Sequence, residues 1–204
     1  VSEYLPVYNV DTFTLENEID SLDVLELSNV FLDTVPNLSA SGLYSLYKRA
    51  GVDDAYLGYV TSSYVDGVTC YGWAASEGQS QIVYDNFPAI LPATMEVSVP
   101  YTVTATGSLY SGGFLMGTTT DSVTVTLVNH GEFQTPMGWF YNTITLSIVW
   151  LTSVDGGGTF GRNASVVLSQ YDGIVGLFDD ATSKYYRLVA GTANGYSIAA
   201  DEPA

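Results

Sequence analysis

The stretch Asn142–Ser153, NTITLSIVWLTS, holds no charged residue in its twelve positions. It belongs to a longer run, residues 97–154, whose only ionised side chains are Asp121 and Glu132, in a chain of formal net charge −17. Read as a strand, it points Ile144, Leu146, Ile148 and Trp150 to one side, and Thr143, Thr145, Ser147, Val149 and Leu151 to the other. The first row is a core row. The second begins in hydroxyl groups and ends apolar. The same design recurs in SVTVTLVN (Ser122–Asn129), with Val123, Val125 and Leu127 inward and Thr124, Thr126 and Val128 outward. It recurs again in MEVSVPYTVTATG (Met95–Gly107). A free-standing sheet dresses its wet face and its edges in charge, lysine above all. This chain has two lysines, Lys48 and Lys184, and neither lies in these strands. The hydroxyl rows are therefore expected to be covered, by another layer of the chain or by a neighbouring subunit.

Around this stretch, two-residue turn signals punctuate the sequence. VDGV (Val65–Val68), SGGF (Ser111–Phe114) and YDGI (Tyr171–Ile174) place Asp-Gly or Gly-Gly between strand-forming flanks, and DGGGTFG (Asp155–Gly161) is a longer loop. Strands are predicted at residues 56–62, 64–73, 80–84, 95–106, 121–129, 139–153, 163–171, 174–178, 184–190 and 194–199. The fold class is all-β: an antiparallel sandwich or jelly-roll-like body over residues 55–204.

Residues 1–54 read differently, as an acidic N-terminal arm with a short helix; they carry ten of the 22 acids. Val7, Val10, Phe13 and Leu15 are apolar without a clean period, and Pro6 interrupts them, which suits an extended arm. Leu15, Ile19 and Leu22 sit near helical spacing, so residues 15–27 are expected to lean helical. In SASGLYSLYKRAG (Ser39–Gly51), a serine cap, the Leu43–Leu46–Tyr47 face, Lys48 and Arg49 in the last turn and Gly51 beyond it predict a helix over 41–49.

At 204 residues the chain can bury roughly 70% of its unfolded surface. Charged residues make up 13%, about half the usual share. Twenty-two acids against five bases exclude nucleic acid and anionic membrane surfaces as partners, since both demand Lys and Arg. No apolar run reaches the roughly 20 residues of a membrane-spanning helix. Cys70 stands alone, so no internal disulfide forms and stability must come from packing.

Catalytic signals are lacking. The one histidine, His130, sits in the turn-like VNHGEF, no G-x-S-x-G elbow occurs, and Cys70 reads as a small buried hydrophobe. The chain is expected not to be an enzyme and to need no cofactor. One cysteine and one histidine cannot make a structural zinc site. Calcium is the metal the acids suit best: Glu16, Glu18 and Asp20 (with Asp23 beside them), Asp53 and Asp54, and Asp179 and Asp180. Their spacing matches no EF-hand loop, so they read first as solvated acidic turns. Aromatic residues able to stack on sugar include Trp73, Trp139, Phe140, Tyr141, Trp150, Tyr185 and Tyr186.

A β-body with threonine-rich faces and an acidic arm resembles the pattern of virion proteins. That resemblance implies a structural, self-assembling subunit: a minor or decorating capsid protein, or a spike or fibre component. It would act at a virion or extracellular surface, with copies of itself and other structural proteins as partners. The interface would take Val7, Val10 and Phe13 from the arm, and Thr124, Thr126, Thr143 and Thr145 from the hydroxyl rows. One alternative is an extracellular filament or pilus subunit joined by N-terminal strand exchange. Another is a secreted carbohydrate-binding β-sandwich module, for which Trp73, Trp139 or Tyr185 should lie exposed on a concave face.

Overall fold

The computed structural model describes residues 4, 11–34, 41–49, 57–63, 67–75, 80–86, 88–193 and 195–202; at 11, 28–34, 41–49, 57–63 and 74–75 it describes the backbone. These residues are nearly all strand: β1 (Asp11–Asn17), β2 (Val24–Thr34), β3 (Ser41–Arg49), β4 (Leu57–Ser63), β5 (Gly67–Ala75), β6 (Ser80–Tyr84) and β7 (Ala89–Leu91). There follow β8 (Pro100–Ser111), β9 (Phe114–Thr135), β10 (Gly138–Val154), β11 (Thr159–Ser169), β12 (Gly173–Asp179), β13 (Lys184–Ala193) and β14 (Tyr196–Ser197).

The expected all-β, sandwich-like architecture is what the chain adopts. Its connectivity is an antiparallel meander and not a jelly roll: successive strands pair in order, except that β7 sits aside on β5 and β6 pairs directly with β8. β1 also pairs with β13, Thr12 lying opposite Thr192, so the ladder returns to its start. Of the predicted two-residue turns, the Gly-Gly one is as expected; the YDGI reversal falls one residue earlier, at 170–172, with Ser169 opposite Gly173, and Val65 and Asp66 of VDGV lie outside the described residues. In the β8–β9 hairpin Ser111 faces Phe114 across Gly112 and Gly113, whose φ angles of 55° and 84° are those of a primed two-residue turn.

The first 54 residues depart from expectation. Residues 41–49 are not a helix but strand β3, paired with β2 (Ser28 opposite Lys48) and with β4 (Leu46 opposite Tyr59). Its tyrosines are strand formers, and partners on both sides outweigh the local cap signals. Residues 15–27 are not helical either. They are the end of β1, a tight reversal and the start of β2. The Asn17 side-chain oxygen accepts the backbone N–H groups of Ile19 (2.8 Å) and Asp20 (3.3 Å), turning the chain back. That sets Leu15 opposite Leu25, and both are buried. Nor is there a separate arm at residues 11–17. β1 is held between β2 and β13, with Phe13 and Leu15 in the core, so it has no open edge to lend to a neighbouring subunit. Val7 and Val10 lie outside the described residues.

The hydrophobic core has two main parts, on opposite faces of β11. Val167 packs with Phe13, Leu15, Phe140, Tyr186 and Leu188. Its neighbour Leu168 points the other way and packs with Val68, Leu91, Val125, Ile144 and Leu146. The long β9–β10 hairpin serves both parts. Register shifts between Phe140 and Thr143, and between Thr145 and Leu146, change which face is inward. This resolves what covers the hydroxyl rows. Near the bulges the chain itself does: Thr143 is buried and donates to the carbonyl of its ladder partner Gly131 at 2.9 Å. Thr124, Thr126 and Thr145 are half-buried, and Thr102, Thr104, Thr106 and Thr120 are exposed.

Asp121 is fully buried among a third apolar group that includes Cys70, Ile82, Tyr84 and Ala105. Its Oδ2 accepts the indole N–H of Trp73 (3.1 Å), the indole N–H of Trp150 (3.0 Å) and the hydroxyl of Tyr84. One carboxylate oxygen thus ties β5, β6 and β10 to β9.

Candidate functional site

Two surface features have the chemistry of a binding site. The first follows from the β1–β13 pairing, which brings the β1–β2 and β12–β13 hairpins to one end of the molecule; Glu18 N–H donates to the Tyr185 carbonyl at 2.8 Å. Between them lies an open cleft of about 600 Å³, lined by Asn17, Glu18, Asp20, Asp23, Lys184 and Tyr185, among others. Tyr185 packs edge-on against Phe178 (centroids 6.1 Å) and Phe133 (6.0 Å). Burial, with the charge of Glu18 beside it, pushes the Tyr185 phenol above its usual range.

The cleft gathers several of the predicted calcium candidates, but their carboxylates are largely engaged. Lys184 Nζ lies 2.5 Å from Asp23 Oδ2, and Tyr186 and Asn17 donate to the same oxygen at 3.2 Å. The Lys184 hydrogen bond is the main reason the Asp23 carboxyl sits below the usual carboxylate range; partial burial opposes it. Glu18 pairs with Arg187 at 3.7 Å, and Glu16 lies opposite Arg187 in the β1–β13 register. Asp179 caps its own loop, accepting from Ala181 N–H (3.0 Å) and the Thr182 hydroxyl (2.9 Å), and Asp180 is exposed. Asp53 and Asp54 lie outside the described residues. Among the described residues no three acids, histidines or cysteines are grouped to hold a metal ion.

The second feature is an aromatic platform at the start of β10. Residues 138–142 run past the end of β11, and the C-terminal segment takes the open edge. Asp201 N–H donates to the Trp139 carbonyl (2.8 Å), and Asp201 Oδ2 accepts the Tyr141 N–H (2.6 Å). Phe140 is buried, so strand alternation turns Trp139 and Tyr141 outward, 41% and 39% exposed. Their rings are nearly parallel, 8° apart in plane with centroids at 6.4 Å. Polar residues adjoin them in register and in sequence, and the Asn142 oxygen already accepts the Tyr4 hydroxyl at 3.2 Å. Gln134 is opposite Trp139 in register, and Asn142 donates its amide to Gln170. The turn after Gln170 sets out a third ring, Tyr171, exposed and at φ 69°, a conformation uncommon for a tyrosine. Asp172 shares this end of the molecule. Burial raises its carboxyl above the usual range; the Ser169 hydroxyl opposes that shift and the charge of Asp201 adds to it.

Of the three aromatics expected on a concave face, Trp139 is exposed, Tyr185 lines the cleft and Trp73 is turned inward to Asp121. Trp73 also meets Phe160 edge-on at 6.2 Å. Of the proposed interface residues, Phe13 and Thr143 are buried within the chain itself. The reactive candidates are dispersed. The Cys70 thiol is buried, donates to the Gly72 carbonyl at 3.5 Å, and is pushed up to about 12 by burial, so it carries no thiolate at neutral pH. His130 is exposed on β9, opposite Ile144. The sequence reading did not single out Asp201, Asn142, Gln134 or Gln170. The signal available for the platform was the Trp139-Phe140-Tyr141 order, in which a core phenylalanine forces both neighbours out.

No protein-family model matches the chain, and no curated protein does. Among solved structures the chain is similar to a "putative lipoprotein" from Parabacteroides distasonis, at 13% identity over 96% of this chain and 98% of that one, with a TM-score of 0.45. That likeness is too faint to establish a shared role.

Proposed function

We propose that the chain is a non-catalytic carbohydrate-binding module whose working surface is the Trp139–Tyr141 platform. The observation that carries this reading is the pair of outward, nearly parallel rings beside Gln134, Asn142 and Gln170. A pyranose ring has an apolar C–H face that stacks on aromatic carbon, and a rim of hydroxyls that bond to amides and carboxylates. The platform offers both on a rigid strand, and Asp201 fixes the backbone at Tyr141. A glycan array followed by calorimetry tests the reading. Trp139→Ala and Tyr141→Ala are expected to weaken the best ligand tenfold or more without shifting the unfolding midpoint, because both side chains are exposed. An array without hits, or a Trp139→Ala variant that binds like the wild type, would refute it.

A second reading keeps the self-assembling structural subunit, at a virion or extracellular surface. It is favoured by the tip of the β8–β9 hairpin, where Phe114, Leu115 and Met116 are exposed, next to the exposed threonines of β8 and β9. Contiguous exposed apolar groups on an otherwise polar surface mark contacts with other proteins. Sedimentation across ionic strength separates the two readings. Assembly that grows as salt screens the acidic surface, and is lost in a Phe114→Ser, Leu115→Ser, Met116→Ser variant, supports this one; a monomer at every salt concentration removes it.

A further inference from the structure

We propose, resting on the self-assembling reading, that the open edge of β9 at Phe114–Met116 pairs with the same edge of a second copy, antiparallel and across a two-fold axis. Two chains then share one continuous sheet. β10 pairs with β9 only as far as Val154, opposite Thr119, and Asp155 N–H then takes the Thr118 carbonyl at 3.0 Å. Nearer the turn, Phe114 and Leu115 pair with Ser111 and Tyr110 of β8, and among the described residues nothing pairs with their other side. Ser111 and Phe114 close the two-residue turn, so their backbone groups point at each other and those of Leu115 point outward. Outward N–H and C=O groups on a strand are satisfied by another strand, which sets the class of partner.

The side chains decide which strand. Phe114, Leu115 and Met116 are each more than half exposed. Residues 97–120 carry no charge, and the edge at 114–117 has neither the lysine nor the proline that keeps edges apart. Copies of a chain at −17 repel one another elsewhere, so the uncharged tip is where they meet. Such an edge gives a foreign peptide no charge to be selected by, whereas a second copy brings matching apolar side chains. Centred on Leu115, the pairing sets Phe114 opposite Met116 of the second copy. Shifted towards Thr118, it would drive the turn of one copy into Asp155 of the other. A bulge at Met116, where the register slips against Leu109 and Tyr110, keeps the pairing short, so association is weak and concentration-dependent. Trp139 lies opposite Gln134, at the far end of β9 from Phe114, so the dimer carries its two aromatic platforms at its outer ends.

Sedimentation equilibrium of the full chain, over a concentration series at low and high salt, tests the proposal. The wild type is expected to pass from a monomer at low salt to a dimer as concentration and salt rise. Leu115→Pro removes an outward N–H from each copy, keeps an apolar side chain and breaks no bond within the chain. It is expected to fold as the wild type does and to associate at least about tenfold more weakly. Leu115→Cys is expected to give a disulfide-linked dimer on mild oxidation, because the axis passes beside residue 115 and the native Cys70 is buried. A wild type that stays monomeric at every concentration and salt overturns both the pairing and the self-assembling reading. If the wild type associates but Leu115→Pro does so equally, or Leu115→Cys gives no linked dimer, the pairing is overturned and the self-assembling reading stands.

Discussion

Three hydrogen-bond donors from three strands converge on one oxygen of Asp121, while its Oδ1 has no partner among the described residues. Removing the carboxylate strands two indoles and a phenol in a dry interior, which costs far more than one surface contact. Asp121→Ala is expected to destabilise the chain by about 3–5 kcal/mol in urea unfolding. A loss under about 1 kcal/mol would show that the donors find other partners. Part of this was visible in the sequence. Asp121 is in phase with Val123, Val125 and Leu127, so alternation alone points it inward. Its partners were not visible: they lie up to 48 residues away, at Trp73, Tyr84 and Trp150. Periodicity says where a side chain points, but not whom it meets.

The hairpins were the most legible elements because their turn chemistry is local. Gly112 and Gly113 show the principle: a Cβ added at either meets nothing within 4 Å, so any cost of replacement is backbone strain. Gly113→Val is expected to cost about 1–2 kcal/mol, and Gly112→Asn much less, because asparagine tolerates the left-handed turn. Equal costs for the two would mean the turn is not of the primed kind. The Thr135–Gly138 hairpin escaped detection because its turn residues, Pro136 and Met137, carry no such signal. Thr143 was assigned to the wet face because the bulge preceding it leaves no mark in the alternation. The β1–β2 and β12–β13 hairpins are clipped together by Asp23 and Lys184, a pair whose side chains are 24% and 44% exposed. Asp23→Asn should therefore cost only about 0.5–1 kcal/mol at neutral pH. The folded carboxyl is lowered relative to the unfolded one. Its contribution is thus complete above about pH 5 and disappears as pH falls through the folded value. The gap between wild type and Asp23→Asn should close between pH 5 and pH 2, and a gap constant over that range would assign the cost to packing.

For the molecule as a whole, the decisive feature is that the chain's first described strand pairs with one of its last. Helix-like spacing in residues 15–27 and 41–49 misled because a strand's partners, here β13 and β4, are set by topology and not by the segment itself. The consequence is testable by truncation. Removing residues 1–17 takes Phe13 and Leu15 out of the core and breaks two ladders at once, leaving β2 and β13 with bare edges. Bare edges on a sheet recruit other chains, so the truncated protein should lose its cooperative urea transition and aggregate. The strand-exchange filament reading requires the opposite. There, β1 would pair in a neighbour's sheet, so the intact chain would sediment as linked subunits and the truncated one as monomers. Circular dichroism and sedimentation of the intact and the truncated chain, at low salt, distinguish the two. An intact chain that is monomeric and cooperative, beside a truncated one that aggregates, marks β1 as a closing strand of its own sheet.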